Sequence, residues 1–135
     1  MAPLARQRPA YGLIHGDVIR ANALVSEPGQ VTIIDFDLCG PGWRAYDLAG
    51  YLLTIRDTPE EQAFEGAFLA GYQQERPLSP AEQQLLPAFE AVRAIFSIGI
   101  PAMNIHHWGS AYFHAFLEQS LKRLRASMAA VDYLF

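Results

Sequence analysis

Three oxygen-bearing side chains recur at close spacing early in the chain. They are Asp17, Asn22 five residues on, and Asp35 eighteen residues after Asp17, with His15 and Gly16 just ahead of them and Asp37 just behind. Phosphoryl transfer asks a protein mainly to position reactants and neutralise charge, so it needs a carboxylate near the attacking hydroxyl and oxygen ligands for magnesium. Magnesium completes its octahedron with phosphate oxygens and water, so one carboxylate and one amide oxygen suffice from the protein. Asp17, Asn22 and Asp35 supply those groups. A lone His-Gly-Asp would read as a turn with a capping aspartate, and only the joint spacing lifts it above chance.

These residues need rigid elements to bring them to one point. Tyr11 to Ile14 is a short apolar run able to enter a sheet. Ala23 to Val25 and Val31 to Ile34 flank Glu27-Pro28-Gly29-Gln30, where proline pre-sets φ and glycine takes a positive φ cheaply, so the two runs predict a hairpin that ends in Asp35. Gly40-Pro41-Gly42 predicts a break in regular structure. Beyond it Tyr46, Leu48, Ala49, Tyr51, Leu52, Leu53 and Ile55 give a largely buried helix. Thr58-Pro59-Glu60-Glu61 has the order of a capping box for a helix running to about Glu75, with Phe64, Phe68 and Tyr72 on one face. Ser79-Pro80-Ala81-Glu82 repeats the device for a third helix, which Pro87 is expected to kink or divide before Gly99 and Pro101 stop it. A last helix is expected from about Ser110 to Met128. No internal repeat is visible, and the order is a little β followed by much α.

The pattern His15-Gly16-Asp17 to Asn22, then Ile34-Asp35-Phe36-Asp37, resembles the aminoglycoside phosphotransferase and choline kinase superfamily, whose protein-kinase-like catalytic lobe carries a HxDxxxxN loop and an IDxxD segment. The stretch from Gly42 through Tyr46-Asp47-Leu48-Ala49 is most similar to the branch of type II homoserine kinases and bacterial Ser/Thr-kinase-like phosphotransferases. The resemblance implies an α+β, mainly α fold: a kinase-like C-terminal lobe with a small β-hairpin sheet carrying the catalytic loop and four to five helices. Residues 1–135 would form that single domain, with the catalytic loop and metal segment over 11–37 and the helical part over 44–130. It implies Asp17 as catalytic base or hydroxyl-orienting residue, Asn22 and Asp35 as magnesium ligands, and His15 as a structural member of the loop. Asp37 would take a supporting or metal-proximal role, and Asp47 would anchor the loop through backbone hydrogen bonds. ATP is the implied co-substrate, Mg2+ the implied cofactor, and a hydroxyl-bearing small molecule the implied acceptor.

One departure from that family dominates all others. The smaller lobe's glycine-rich turn and phosphate-holding lysine have no counterpart before Tyr11, and the sole lysine is Lys122. The chain is therefore expected to be part of something longer, lacking the N-terminal nucleotide lobe and weak or inactive as a kinase by itself. The rival expectation is a non-catalytic binding or scaffold module that self-associates. Either a separate N-terminal lobe or a homodimer partner would cover the apolar surface left by the missing lobe.

Composition sets wider bounds. At 135 residues one core is expected, and with 51% hydrophobic and 18% charged residues the chain lies far from the disordered class. A net charge of −4 with no basic run lacks the footprint of a nucleic-acid binder or a polybasic membrane binder. One cysteine, Cys39, rules out an internal disulfide framework and fits a reducing cytoplasm; it reads as a small buried hydrophobe. No signal-like segment is visible, and polar residues interrupt each apolar stretch. His106, His107 and His114 read as surface or partly buried imidazoles, because adjacent histidines point apart on a helix and no HExxH pattern exists. Trp43 and Arg44 could flank a substrate or anchor packing.

Overall fold

A computed structural model describes residues 4–27 and 29–132. Two small antiparallel sheets come first. Strand β1 (Tyr11–Ile14) pairs with β4 (Gly40–Trp43), placing Tyr11 opposite Trp43 and Ile14 opposite Gly40. Strand β2 (Ala23–Ser26) pairs with β3 (Gln30–Ile33) as the expected hairpin, with Gly29 at φ +82 in its turn. Pro28, expected to set that turn, lies outside the described residues. Gly40 to Gly42 is not a break but part of β4. Pro41 lacks an N–H, yet a two-stranded sheet has an open edge on each strand and tolerates one missing donor.

Helix α1 (Arg44–Ile55) follows β4 directly and is the centre of the molecule. Ala45, Leu48, Leu52 and Ile55 are buried together with Leu78 and Leu86, while Tyr51, Phe68, Tyr72 and Phe89 pack on that cluster. Trp43 works as an anchor: it meets Tyr11 edge-on and Phe89 at 6.1 Å, and its Nε1 donates to the Leu4 carbonyl at 3.3 Å. Cys39, expected inside, is exposed, because its loop runs over the surface between the two sheets.

Helix α2 (Glu61–Glu75) begins without the expected capping box. The Thr58 hydroxyl donates back to the Ile55 carbonyl at 2.7 Å, and Glu61 instead accepts from Asp57 N at 2.9 Å. Arg56 draws Glu61 away from a capping role: its guanidinium binds Glu61 at 2.8 Å and Glu65 at 2.5 Å from α2, and Glu90 at 2.6 Å from the next helix. The Glu90 hydrogen bond, aided by those of Glu65 and Glu61, outweighs burial and holds Arg56 above its ordinary pKa.

Helix α3 (Pro80–Met103) has the capping box read from sequence, with Ser79 Oγ accepting from Glu82 N at 3.2 Å and the Glu82 carboxylate accepting from Ser79 N at 3.0 Å. It is neither divided at Pro87 nor stopped at Pro101. α3 packs between α1 and the last helix, and burial there outweighs the hydrogen bonds that two prolines remove. By length and composition α3 is apolar enough to cross a membrane; here it carries buried, paired Glu82, Glu90 and Arg93. A single turn, α4 (Ile105–Trp108), precedes α5 (Ser110–Asp132), which runs slightly beyond the expected end. α5 docks on the α1 terminus through Lys122 to Asp57 at 2.7 Å and Arg123 Nη2 to the Arg56 carbonyl at 3.2 Å.

Glu82 is almost wholly buried and is bound by Arg76 at 2.5 Å. Burial pushes its carboxyl up, but Arg76 and the Ser79 donors more than offset that, so the net pKa lies below the ordinary 4.5. A depressed carboxylate contributes stability that is complete above its unfolded pKa and is lost as pH falls through its folded one. Urea unfolding at stepwise lower pH should therefore show an acid-side loss of stability beginning below about 4.5, and the Glu82→Gln variant should show a shallower one.

Candidate active site

The loop from His15 to Ile19 leaves β1 and ends in a 3-10 turn, Arg20–Asn22, that leads straight into β2. Asp47, in the first turn of α1, holds the start of this loop. Its carboxylate accepts from His15 N at 2.7 Å and from Gly16 N at 2.8 Å, so two backbone donors that no strand satisfies find a charged acceptor. His15 is buried and bridges the loop to the hairpin's exit. Its Nδ1 accepts from Asp17 N at 3.2 Å, so its Nε2 carries the proton that goes to the Ile34 carbonyl at 3.0 Å. Phe36 lies against the imidazole with centroids 4.4 Å apart. Both ring nitrogens are thus occupied by backbone.

Asp17 and Asn22 meet directly. Asn22 Nδ2 donates to the Asp17 carbonyl at 3.0 Å and to Asp17 Oδ2 at 3.1 Å, while the Asn22 amide oxygen, on the other side of the amide, accepts no hydrogen bond among the described residues and remains a hard donor. Asn22 O also accepts from Ile34 N at 3.0 Å. Ile34 is therefore tied to Asn22 through its N–H and to His15 through its carbonyl, and Asp35 follows next to that junction. Asp35 is exposed and stands at φ 66, a left-handed conformation unusual for a residue with a side chain. Asp37 is exposed on the turn after it. The structure thus joins His15, Asp17, Asn22 and Asp47 by hydrogen bonds; Asp35 is placed beside them by the backbone, and Asp37 is carried on the adjoining loop.

One residue of this site was not legible in the motif. Arg93, on α3, is 5% exposed at its side chain and places Nη2 2.5 Å from Asp17 Oδ1. Its Nη1 donates to the Gly16 carbonyl at 3.0 Å and to the Tyr46 hydroxyl at 3.2 Å. Burial works against the Arg93 charge, but Tyr46 and Asp17 outweigh it and hold the pKa above its ordinary value. Asp17 therefore has each oxygen engaged, Oδ1 by Arg93 and Oδ2 by Asn22. The signal in the sequence was a lone arginine within the apolar run Ala91-Val92-Arg93-Ala94-Ile95-Phe96. A charge there is tolerated only when paired.

Two glycines let the loop pack this closely. Gly16 sits at φ +83, and an added Cβ would lie 2.3 Å from the Leu38 carbonyl oxygen; at Gly50 it would lie 2.9 Å from the Val18 carbonyl oxygen. Gly16→Ala should lower the unfolding free energy by about 2–3 kcal/mol in urea titrations, since backbone strain and a backbone clash coincide there.

No group of three or more histidine, cysteine, aspartate or glutamate side chains among the described residues forms a metal cluster. A cation here would depend on the Asn22 amide oxygen and Asp35, together with oxygens that a phosphate brings.

Residues 1–90 match the phosphotransferase enzyme family. The chain is similar to an amicoumacin kinase of Bacillus subtilis, at 28% identity over 106 residues, covering 72% of this chain and 31% of that protein. It is similar also to a homoserine kinase of Neisseria meningitidis serogroup B, at 34% identity over 88 residues, covering 62% and 28%. The solved structure of a microcompartment-associated aminopropanol kinase superposes with a TM-score of 0.62 at 29% identity, covering 94% of this chain and 37% of that one. The chain thus spans about a third of the length of the relatives it matches.

Proposed function

The chain belongs to the phosphotransferase enzyme family, and from that premise we propose that it is the magnesium-binding and hydroxyl-orienting lobe of an ATP-dependent kinase acting on a small molecule. The observation that carries this reading is the pairing of Asp17 with Asn22 on a loop clamped by Asp47.

Asp17 accepts the hydrogen bond of the acceptor hydroxyl and aims its oxygen at the phosphorus. Arg93 and Asn22 hold the carboxylate in one orientation, so no reorganisation is needed as the reaction proceeds. Asn22 Oδ1 and the Asp35 carboxylate would hold the magnesium, a fit supported by the amide oxygen that accepts no hydrogen bond among the described residues and by the left-handed backbone at Asp35. Such backbone strain costs about 1–3 kcal/mol and clusters at functional positions. Held by these residues, magnesium would supply neutralisation of charge on the nucleotide phosphates. His15 and Asp47 keep the loop in place, and Asp37 supports the segment after Asp35. The lysine that would clamp the phosphates is not in this chain, whose only lysine, Lys122, pairs with Asp57 on α5's side of the molecule. Activity in isolation is accordingly weak or nil, and a nucleotide-binding lobe is the expected complement.

The test is magnesium-dependent ADP release against amino alcohols, hydroxy amino acids and aminoglycosides, with the chain assayed alone and with a nucleotide-binding lobe supplied. Turnover that needs both the added lobe and magnesium supports the reading. None against any acceptor sinks it. A second reading, a self-associating scaffold, draws on the apolar side chains exposed on the sheet side: Leu13, Val25 and Val31 are 70%, 73% and 56% exposed. Sedimentation showing a stable dimer, together with calorimetry showing no MgATP binding, would favour it.

A further inference from the structure

A cleft of about 260 Å³ opens beside Asp17 between α1, α3 and α5. We infer that it is the acceptor subsite, and that it takes a compact alcohol with a hydrocarbon body and excludes polycationic acceptors such as aminoglycosides. This inference rests on the phosphotransferase reading for the role of Asp17, but its size and charge arguments stand on the cleft alone.

The walls are apolar: Ile19 from the loop, Leu53 from α1, Phe96 and Ile100 from α3, and Phe116 from α5. Sites that bind small molecules are mostly apolar with a few placed polar groups, and their volumes run from about 300 to 1,000 Å³. At about 260 Å³ this cleft lies just below that range, so it can enclose a single chain or ring but not a multi-ring sugar.

Charge points the same way. Among the described residues Asp17 is the only carboxylate in the lining, and Arg93 already balances its charge while lone pairs remain to accept a hydroxyl. The other charged groups there, Arg93 and Arg123, are cationic. An ammonium-rich ligand would be desolvated against two guanidiniums with one shared carboxylate to receive it, which is unfavourable. The neutral polar groups suit a hydroxyl instead. Thr54 Oγ1 and Ser97 Oγ spend their own protons on the Tyr51 and Ala94 carbonyls, at 2.6 and 2.9 Å, and so face a ligand as acceptors. A substrate hydroxyl can donate to Asp17 or to these oxygens while its hydrocarbon body lies against Leu53 and Phe116.

The experiment is an amide NMR titration of the chain, without nucleotide, using hexane-1,2-diol and, separately, a three-ring aminoglycoside. Saturable shifts at Ile19, Leu53, Ser97 and Phe116 are expected with the diol and not with the aminoglycoside. Ser97→Phe, which fills the cleft, should weaken the diol at least tenfold; Ile100→Trp fills it from a more exposed position and serves if the first variant misfolds. Absent or non-saturable shifts with the diol, or the same residues responding to the aminoglycoside, overturn the inference. Diol binding in the cleft with no ATP turnover in any assay leaves the cleft's selectivity for a compact alcohol standing and removes the phosphotransferase reading, and with it the acceptor role. Turnover of the aminoglycoside without diol binding does the reverse.

Discussion

Replacing Arg93 with methionine is expected to lower the unfolding free energy by about 3–5 kcal/mol, read from urea titrations with a tryptophan or circular-dichroism signal. The size follows from what the guanidinium does. It is nearly buried and serves the Asp17 carboxylate, the Gly16 carbonyl and the Tyr46 hydroxyl at once. Methionine fills a similar volume, so the loss is not a cavity. The cost comes from a partly buried carboxylate left with Asn22 as its remaining bonded partner, and from a carbonyl that loses its donor. Arg93→Lys should recover part of the loss, because an ammonium can meet one of these acceptors but cannot span all three from a fixed fork. A stability equal to wild type in both variants would show that the salt bridge contributes nothing net.

Asp17→Asn should reduce kcat for phosphoryl transfer by about 10²–10⁴ in any preparation that shows magnesium-dependent turnover. The amide keeps the shape and can still contact Asn22, but it no longer offers a charged acceptor to the attacking hydroxyl. It also leaves Arg93 buried without its counter-charge, so the variant should be less stable as well. Rates must therefore be expressed per folded molecule, at a temperature where unfolding curves show both proteins native. KM for MgATP should change little, since on the proposed mechanism Asn22 and Asp35, not Asp17, would hold the metal of the nucleotide. An Asp17→Asn enzyme with unaltered kcat would remove Asp17 from the reaction and take the proposed mechanism with it.

Much of this arrangement is legible in the sequence. The offset between Asp17 and Asn22 spans a loop and one 3-10 turn, local geometry that short-range sequence specifies well. The β2–β3 hairpin and the Ser79 capping box were equally local, since turn residues and caps act over four residues or fewer. Expectations failed where distant partners intervened. Gly40 to Gly42 reads as a breaker in isolation and becomes a strand only because β1 offers it a partner. Thr58 and Glu61 have the letters of a capping box, yet Arg56 captures Glu61. Pro87 does not divide α3, because α1 and α5 hold the helix from both sides.

By itself the sequence determined the family, the mainly helical composition and the closeness of Asp17 to Asn22, because those depend on spacing along a short segment. Tertiary structure alone decided that Asp17 is clamped by an arginine 76 residues away. It likewise decided that the cleft beside Asp17 is small, apolar and bordered by cations. Both depend on which face of α3 meets α1 and α5. A helix sequence offers several such faces, and packing chooses among them by burying the apolar one only where its lone charge finds a partner.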